Sequence, residues 1–386
     1  MGRQAASSVS SKMPDGNIQI REVKTKKDLQ VFLRFPWEIY RGNPYWVPPI
    51  IKEHAFHFSP HNPFLQHAQI RPFVAVQDGV VRGRIAAVID QNYITFQQDN
   101  AGFFGFFESV NDKKVTRALL ERVKDFLREK GLHKVLGPLS PSTNDECGLL
   151  IEGFDSPPCF MMPYNPPYYQ ELLEGCGLQK AKDLYADFMT DEAGVPKRVA
   201  RISKRIAERL PGLTVRSLNP RKLGEEIIKV KEVYDGAWKD NWGFVPMTDA
   251  EMALMAKKMK PLLVPDLVLF AEIKGEPVGF ALALPDYNVV FKQLNGRIGP
   301  LGILKFLYYA RKIKGVRVML LGVKEEYRKR GMESLLYLEL FRRGKIKGYY
   351  KGELSWILED NHLMQKGIEA LGGKRYKTYR IYRSPL

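Results

Sequence analysis

The chain has 386 residues, of which 45% are hydrophobic, so it has enough apolar material for two or three packed domains. A formal net charge of +17 and a pI near 9.5 indicate an anionic partner, such as coenzyme A, nucleic acid, an acidic carrier protein or an anionic membrane surface. Three cysteines without C-x-x-C spacing argue against a disulfide framework and favour a reduced, cytoplasmic protein, and no apolar run is long enough to cross a bilayer.

One structural unit is predicted to occur twice. Residues 18–21 and 213–216 begin with the same alternation of apolar and polar side chains, about 195 positions apart. A strand–turn–strand pattern at Gly79 recurs at Gly275, and a helix that ends at Gly177 has a counterpart ending at Gly372. Because three separate places share nearly one offset, the sequence indicates an internal duplication.

The two copies define the predicted domains. Residues 1–16 are predicted to be a disordered tail, 17–192 an N-terminal lobe, 193–212 a basic linker helix and 213–386 a C-terminal lobe. Within each lobe the order is strand, helices, hairpin, further strand, helix, strand, helix, strand. This order predicts an α+β fold, with a mixed, mostly antiparallel sheet flanked by helices in each lobe.

The N-terminal copy carries a long insertion over 137–167 that is dense in proline and glycine. Loops of this length inside a compact domain usually have a function, and this one contains Asn144, Asp145 and Glu146. Just before it, Glu108 ends an aromatic strand. The residues that follow Glu108 lack glycine, so no phosphate-binding loop is predicted in this copy.

Two further segments combine basic and apolar side chains. The linker has one apolar stripe on an otherwise basic helix over 196–210; it is interpreted as a solvated connection, with contact to anionic lipid or RNA as the alternative. The C-terminal copy has an insertion over 287–315, in which Leu301, Leu304 and Phe306 stand beside Lys305 and Lys312. This segment is predicted either to pack on the lobe or on a second subunit, or to lie at a membrane interface.

A strand, a basic turn and a helix follow. The apolar run 319–323 leads into a charged turn, after which Met332, Leu335 and Leu336 recur at helical spacing. Such a turn directs free backbone N–H groups and the positive end of the helix dipole at one point, an arrangement that suits phosphate.

The turn, residues 328–333, resembles the Arg/Gln-x-x-Gly-x-Gly/Ala pyrophosphate loop of the GNAT acyl-CoA N-acyltransferases. Residues 354–361 resemble the next strand of that family with its terminal asparagine, and 370–373 its helix end. The resemblance implies a tandem GNAT fold, acetyl-CoA or a longer acyl-CoA as co-substrate, and contacts from Leu321, Val323, Arg328, Lys329, Arg330, Gly331, Met332, Glu333, Ser334 and Asn361. Two positions depart from the family pattern: Glu333 replaces a Gly or Ala, and Ile368 stands where many members have a proton-donating tyrosine.

Acyl transfer to an amine requires a base for the amine proton and an acid for the leaving thiolate. Glu359, at the end of the strand next to the turn, is a candidate base, although a helix cap at Asp360 or Asn361 explains the same pattern. Glu108 is a second candidate base, facing the same groove. Tyr379 is the candidate acid, although alternating tyrosines also mark a half-buried strand.

Substrate-binding candidates come from both copies. Trp238, Asn241 and Trp242 lie where the family keeps its acceptor-side loop, and Asn144 and Glu146 are the candidates from the N-terminal insertion. The histidines between residues 54 and 67 are interrupted by prolines and joined by no cysteine, so no metal site is predicted.

The predicted function is transfer of an acyl group from acyl-CoA to an amine, by direct attack in a ternary complex, with a lipid-like amine among the candidate acceptors. The alternatives are a Fem-like transferase that uses aminoacyl-tRNA and a non-catalytic acyl-CoA-binding protein. The expected location is the cytoplasm, with peripheral contact to the inner membrane face as an open alternative and no DNA partner.

Overall fold

The computed structural model describes residues 17–191, 201, 210–328 and 330–386. The predicted tail, most of the predicted linker helix and Lys329 lie outside these residues.

In the N-terminal lobe, strands form where β-branched and aromatic residues cluster, and helices where apolar residues recur every three or four positions. The strands are β1 (Gln19–Glu22), β2 (Ala68–Gln77), β3 (Val80–Asp90), β4 (Ala101–Ser109), β5 (Lys134–Gly137), β6 (Leu139–Ser140), β7 (Glu146–Cys147), β8 (Leu149–Glu152) and β9 (Gln179–Thr190). The helices are α1 (Lys26–Arg34), α2 (Pro36–Ile39), α3 (Ile51–Phe56), α4 (Gln91–Gln97), α5 (Lys113–Glu129) and α6 (Tyr169–Gly175).

The C-terminal lobe repeats this order with longer helices before its hairpin. Its strands are β10 (Leu213–Ser217), β11 (Val268–Ile273), β12 (Glu276–Pro285), β13 (Gly315–Val323), β14 (Lys351–Leu358) and β15 (Lys374–Pro385). Its helices are α7 (Leu223–Trp238), α8 (Asp249–Met259), α9 (Asn288–Leu294), α10 (Pro300–Ala310), α11 (Met332–Ile346) and α12 (His362–Ala370).

The hairpins of the two lobes have the same turn. Asp78 and Gly79 have φ of 52° and 79°, and Lys274 and Gly275 have φ of 53° and 88°. Two consecutive positive φ values define a type I′ turn, whose twist matches that of the strands it joins. The tandem arrangement predicted from the repeat is confirmed.

Thirteen strands of the described residues form one continuous sheet, in the order β1-β2-β3-β4-β5-β15-β9-β14-β13-β12-β11-β10, with β8 paired to β15. Only β4–β5 and β13–β14 among these pairs are parallel, so the predicted mixed, mostly antiparallel sheet is confirmed. The last strand of each copy joins the sheet of the other copy, since β9 pairs with β14 and β15 pairs with β5.

Helices cover both faces of this sheet. On one face, α5 and α11 pack on the strands through Leu119 and Leu336, each 0% exposed. On the other face, α1 and α7 do so through Phe32 and Val233, also 0% exposed. None of the helices in the described part of the chain has the length and apolarity that a bilayer span requires.

An imidazole links the two lobes on the second face. His67 Nδ1 lies 2.9 Å from Asp90 Oδ1 of its own lobe, and Nε2 lies 3.3 Å from Glu251 Oε1 of helix α8. Burial favours the neutral ring, but hydrogen bonds to Asp90 and Glu251 outweigh it and raise the pKa of His67 to about 9.

We expect the contribution of His67 to stability to depend on pH. Because its folded-state pKa lies above the unfolded value, this contribution is fully present below about pH 6.5 and is lost as the pH rises through about 9. Melting temperatures of the wild type and of His67→Gln should therefore converge between pH 6 and pH 10. A difference that stays constant over this range would contradict the assigned charge.

Candidate active site

In each lobe the parallel strand pair separates before its end. The β13–β14 register runs from Gly315 with Lys351 to Val318 with Leu354, after which the two strands are no longer paired. The β4–β5 register stops likewise at Phe103 with Leu136. Each sheet half therefore contains a gap between the two strands, beside the end of β13 or β4.

The helix after β13 begins with an open N-terminus. Helix α11 starts at Gly331, whose φ is 87°, and none of the described side chains caps it. In contrast, the Asp112 carboxylate caps α5 by accepting a hydrogen bond from Lys114 N at 2.7 Å. Apart from the Glu333 N–H, which donates to the carboxylate of the same residue, the first-turn N–H groups of α11 have no side-chain partner among the described residues and can bind an anion. In α5 the Asp112 carboxylate occupies the N–H of Lys114.

The charged residues of the turn have different roles. Arg330 is exposed, 5.7 Å above the Tyr327 ring. Arg328 instead donates hydrogen bonds to Val323 O at 3.2 Å and Ala237 O at 2.6 Å. Burial raises the pKa of the Glu333 carboxyl, which accepts a hydrogen bond from its own backbone N–H. Of the two predicted cations that the structure describes, Arg328 and Arg330, it is Arg330 that faces solvent.

The remaining predicted loop residues support the helix. Leu321, Val323 and Met332 are buried in the core beneath α11, and Ser334 is half-buried in its first turn. Asn361 accepts a hydrogen bond from Met364 N at 3.2 Å and so caps α12.

In the N-terminal lobe the equivalent strand end is filled by side chains. Ser109 N donates to the Tyr169 hydroxyl at 2.9 Å. The buried Glu108 carboxylate accepts hydrogen bonds from Tyr40 at 3.0 Å and Tyr169 at 2.7 Å, and lies 3.5 Å from Arg84. The N–H group at the end of this strand is therefore already hydrogen-bonded.

A chamber of about 940 Å³ lies between the lobes on the second face of the sheet. Its walls come from β4, the segment 46–57 and the N-terminal insertion on one side, and from helices α8 and α9 on the other. Most of the wall is apolar, with Trp46, Phe106, Phe160, Met255 and Phe291 among the lining residues.

The polar part of this wall includes the carboxylates of Glu108, Asp145 and Glu146 and the imidazoles of His54 and His57, together with the cations Lys52, Arg84, Lys257 and Lys258. Burial raises the pKa of Asp145 to about 7, and its carboxylate accepts a hydrogen bond from Ser142 Oγ at 2.8 Å. Burial also raises the pKa of Glu108 and Glu146. It lowers the pKa of His54 to about 3 and of His57 to about 4, so both rings are neutral near pH 7.

The chamber wall touches the strand gap of the C-terminal lobe. Arg317 of β13 donates hydrogen bonds to Phe160 O at 2.8 Å and Met161 O at 3.1 Å, and both residues line the chamber. Arg317 precedes Val318, the last residue of β13 that pairs with β14. The chamber and the gap are thus adjacent.

The structure brings some of the predicted site residues to this chamber. Glu108, Asn144 and Glu146 line it. The Asn144 side chain joins the lobes, accepting from the Tyr234 hydroxyl at 2.9 Å and donating to Val245 O at 3.1 Å. Asp145 lines the chamber too; the sequence placed it in the insertion without predicting a role for it.

The other predicted residues lie elsewhere. Trp238 packs on the backbone of β13, where a Cβ on Gly322 would lie 2.4 Å from its ring; Asn241 lies in the following turn, and the Trp242 ring is 5.9 Å from Lys182. Glu359 accepts hydrogen bonds from Lys180 Nζ at 2.5 Å and Asp183 N at 3.2 Å.

Tyr379 is 0% exposed and its hydroxyl has no hydrogen-bond partner among the described residues. The chamber histidines were considered in the sequence only as metal ligands. Within the described residues, no group of three His, Cys, Asp or Glu side chains is arranged to hold a metal ion.

A continuous sheet of two lobes, each with a parted strand pair, defines the class of tandem GNAT-fold proteins. A tandem GNAT protein from the clavulanic acid biosynthesis pathway aligns with a TM-score of 0.56 and 12% identity, covering 96% of this chain and 98% of that one. No family model matches the sequence.

Two relatives are closer in sequence. Bacterial ceramide synthase of Caulobacter vibrioides is 35% identical over 384 residues, covering 96% of this chain and 98% of that protein. Protein YghO of Escherichia coli K12 is 36% identical over 378 residues, 94% of each chain. The chain therefore belongs to the family of tandem GNAT-fold acyltransferases that includes bacterial ceramide synthase.

We expect the two arginines of the turn to give different results when replaced. Arg330→Ala should weaken coenzyme A binding about 10- to 150-fold, since a charge-assisted contact contributes about 1.5–3 kcal/mol, and should leave the melting temperature unchanged. Arg328→Ala should lower the melting temperature because two backbone carbonyls lose their donor. Calorimetry and thermal melts measure both effects.

The matched control is Arg128→Ala, since Arg128 is an exposed arginine on α5 that pairs with Asp125. Unchanged affinity in Arg330→Ala would remove this turn from the binding site.

Proposed function

We propose that the protein transfers an acyl group from acyl-CoA to the amino group of a long-chain amine. The observation that carries this proposal is the chamber of about 940 Å³, which is largely apolar, has carboxylates on its wall and lies beside the strand gap. It is supported by 35% identity to a ceramide synthase over nearly the whole chain. A ceramide is the fatty amide of a long-chain amino alcohol.

The donor is assigned to the C-terminal lobe. Its pyrophosphate would bind the first-turn N–H groups of α11 with help from Arg330, and its thioester would enter the gap between β13 and β14. In the N-terminal lobe, Asp112 caps α5 and the N–H of Ser109 is already hydrogen-bonded. This difference between the lobes supports one acyl-CoA site per chain. Glu333 would have to yield its own N–H or remain protonated, as burial favours.

The acceptor is assigned to the chamber. A largely apolar space stabilises a hydrocarbon chain, at about 0.8 kcal/mol per buried methylene, whereas a tRNA would require a continuous basic groove for its phosphates. The carboxylates at its wall would attract an ammonium head group, which would lose one proton to solvent and so become the neutral amine that attacks.

Asp145 is the proposed general base. The amine nitrogen attacks the thioester carbonyl, the C–N bond forms, and the amine proton passes to the Asp145 carboxylate. The C–S bond then breaks, and the thiolate leaves as the thiol of coenzyme A after taking that proton. Backbone N–H groups of β13 beyond Val318 would stabilise the oxyanion. Glu108, held by two tyrosines and paired with Arg84, would help to form the polar part of the wall near the amine.

An assay with a fatty acyl-CoA and a long-chain amino alcohol tests this assignment. Asp145→Asn should lower kcat by about 10²–10⁴-fold, the usual contribution of a general base, with little change in coenzyme A affinity. Asp125→Asn, at an exposed aspartate of α5, is the matched control. Full activity in Asp145→Asn would exclude this residue as the base, and absence of any acyl transfer to amines would refute the proposed function.

The pH profile provides an independent test. Because the base must be deprotonated and the pKa of Asp145 is raised to about 7, kcat should rise with pH through about 7 and then level off. Asp145→Glu should move this midpoint, whereas the surface control should not. A midpoint near 4, typical of an exposed aspartate, would contradict the role of burial.

A further inference from the structure

Helix α10 exposes an apolar surface next to the chamber. Among the described residues, fourteen large apolar side chains are exposed, and six of them lie between residues 298 and 308. They are Ile298, Leu301, Ile303, Leu304, Leu307 and Tyr308, with exposures from 54% to 76%. Exposed apolar residues are normally scattered singly, so this concentration marks an interaction surface.

The opposite side of the same helix is packed against the chamber wall. The Phe306 ring stacks on Tyr287 at 5.6 Å, and both belong to a cluster with Ile50, Val290 and Leu294. Helix α9, which carries Val290, also presents Phe291 to the chamber. The cluster around Tyr287 and helix α9 therefore lie between α10 and the chamber.

The charges around this face share one sign. No Asp or Glu occurs between Asp286 and Glu325. Five exposed cations flank or lie on the helix, namely Arg297, Lys305, Arg311, Lys312 and Lys314. Lys312 lies 4.2 Å above the Tyr308 ring, so that a cation and an aromatic edge are presented together.

We propose that the exposed face of α10 docks the protein on an anionic lipid bilayer, so that a long-chain amine passes from the bilayer into the chamber. An amphipathic helix with apolar residues on one side and lysine or arginine beside them lies in the interface of a membrane, where acidic headgroups attract the cations. A protein partner that fits this face would need acidic groups around an apolar groove. An anionic bilayer provides acidic headgroups and an apolar interior everywhere on its surface.

Docking is argued from the exposed apolar residues and cations of α10 alone, whereas the entry of the amine into the chamber rests on the proposed function. Full-length protein is floated with vesicles of phosphatidylcholine and phosphatidylglycerol, and with vesicles of phosphatidylcholine alone. We expect flotation with the anionic vesicles, weaker flotation with the neutral ones, and release toward about 1 M salt, where the Debye length is about 3 Å.

Variants separate the apolar contribution from charge. Leu301→Ser/Leu304→Ser should reduce partitioning at least about tenfold, because two leucine side chains no longer enter the interface. Leu301→Glu/Leu304→Glu should abolish it. Ile228→Glu/Leu363→Glu has the same charge change at exposed apolar residues of α7 and α12 and should float like the wild type.

Activity distinguishes the two proposals. With a short, water-soluble amine the α10 variants should match the wild type, whereas with a long-chain amine embedded in vesicles they should lose activity in proportion to partitioning. Failure of the wild type to float would overturn the docking proposal and leave the acyl-transfer proposal intact. If the wild type is a soluble dimer that Leu301→Glu/Leu304→Glu dissociates, the docking proposal is overturned in favour of self-association.

Discussion

The exchange of the last strands holds the two copies in one rigid body. Strand β9 pairs with β14 and β15, and β15 pairs with β5 and β8, so neither copy has a complete sheet without the other. Removal of β9 would leave β14 as an unpaired edge, which is a template for aggregation. Because the exchanged strands fix the angle between the lobes, residues from both can form one chamber wall in defined register.

Within this common frame the copies have diverged at corresponding positions. At the end of β13 the following helix keeps an open N-terminus at Gly331, while at the end of β4 the aromatic hydroxyl of Tyr169 satisfies Ser109 N and Asp112 caps the next helix. Side chains therefore occupy backbone N–H groups at this point of the N-terminal copy. The N-terminal copy instead contributes its insertion. Asn144 of the insertion is hydrogen-bonded to the other lobe, and both Asn144 and Asp145 line the chamber.

Much of the frame could be predicted from local sequence. The glycines at 79 and 275 required positive φ, and the hairpins formed there. The exchange of β9 and β15 could not be predicted, because strand alternation specifies which face is buried but not which strand lies alongside.

The site was predicted in part, for a similar reason. Glu108, predicted as a base, and Asn144 and Glu146, predicted to bind substrate, line the chamber. The proposed role of Asp145 depends on its burial, which is a property of the tertiary structure. Arg328 looked identical to Arg330 in the sequence; only the positions of Val323 O and Ala237 O distinguish them. Glu359 and Tyr379 remain predictions at positions away from the chamber wall.

The chamber has a further consequence if it holds a hydrocarbon chain. Its volume is set by the distance between β4 on one side and α8 and α9 on the other, and packed interiors compress little. A chain with a few more methylenes would have to protrude or stay outside. Selection for chain length would then reside in the interface between the copies, and substitutions there would change product length while the carboxylates stay untouched.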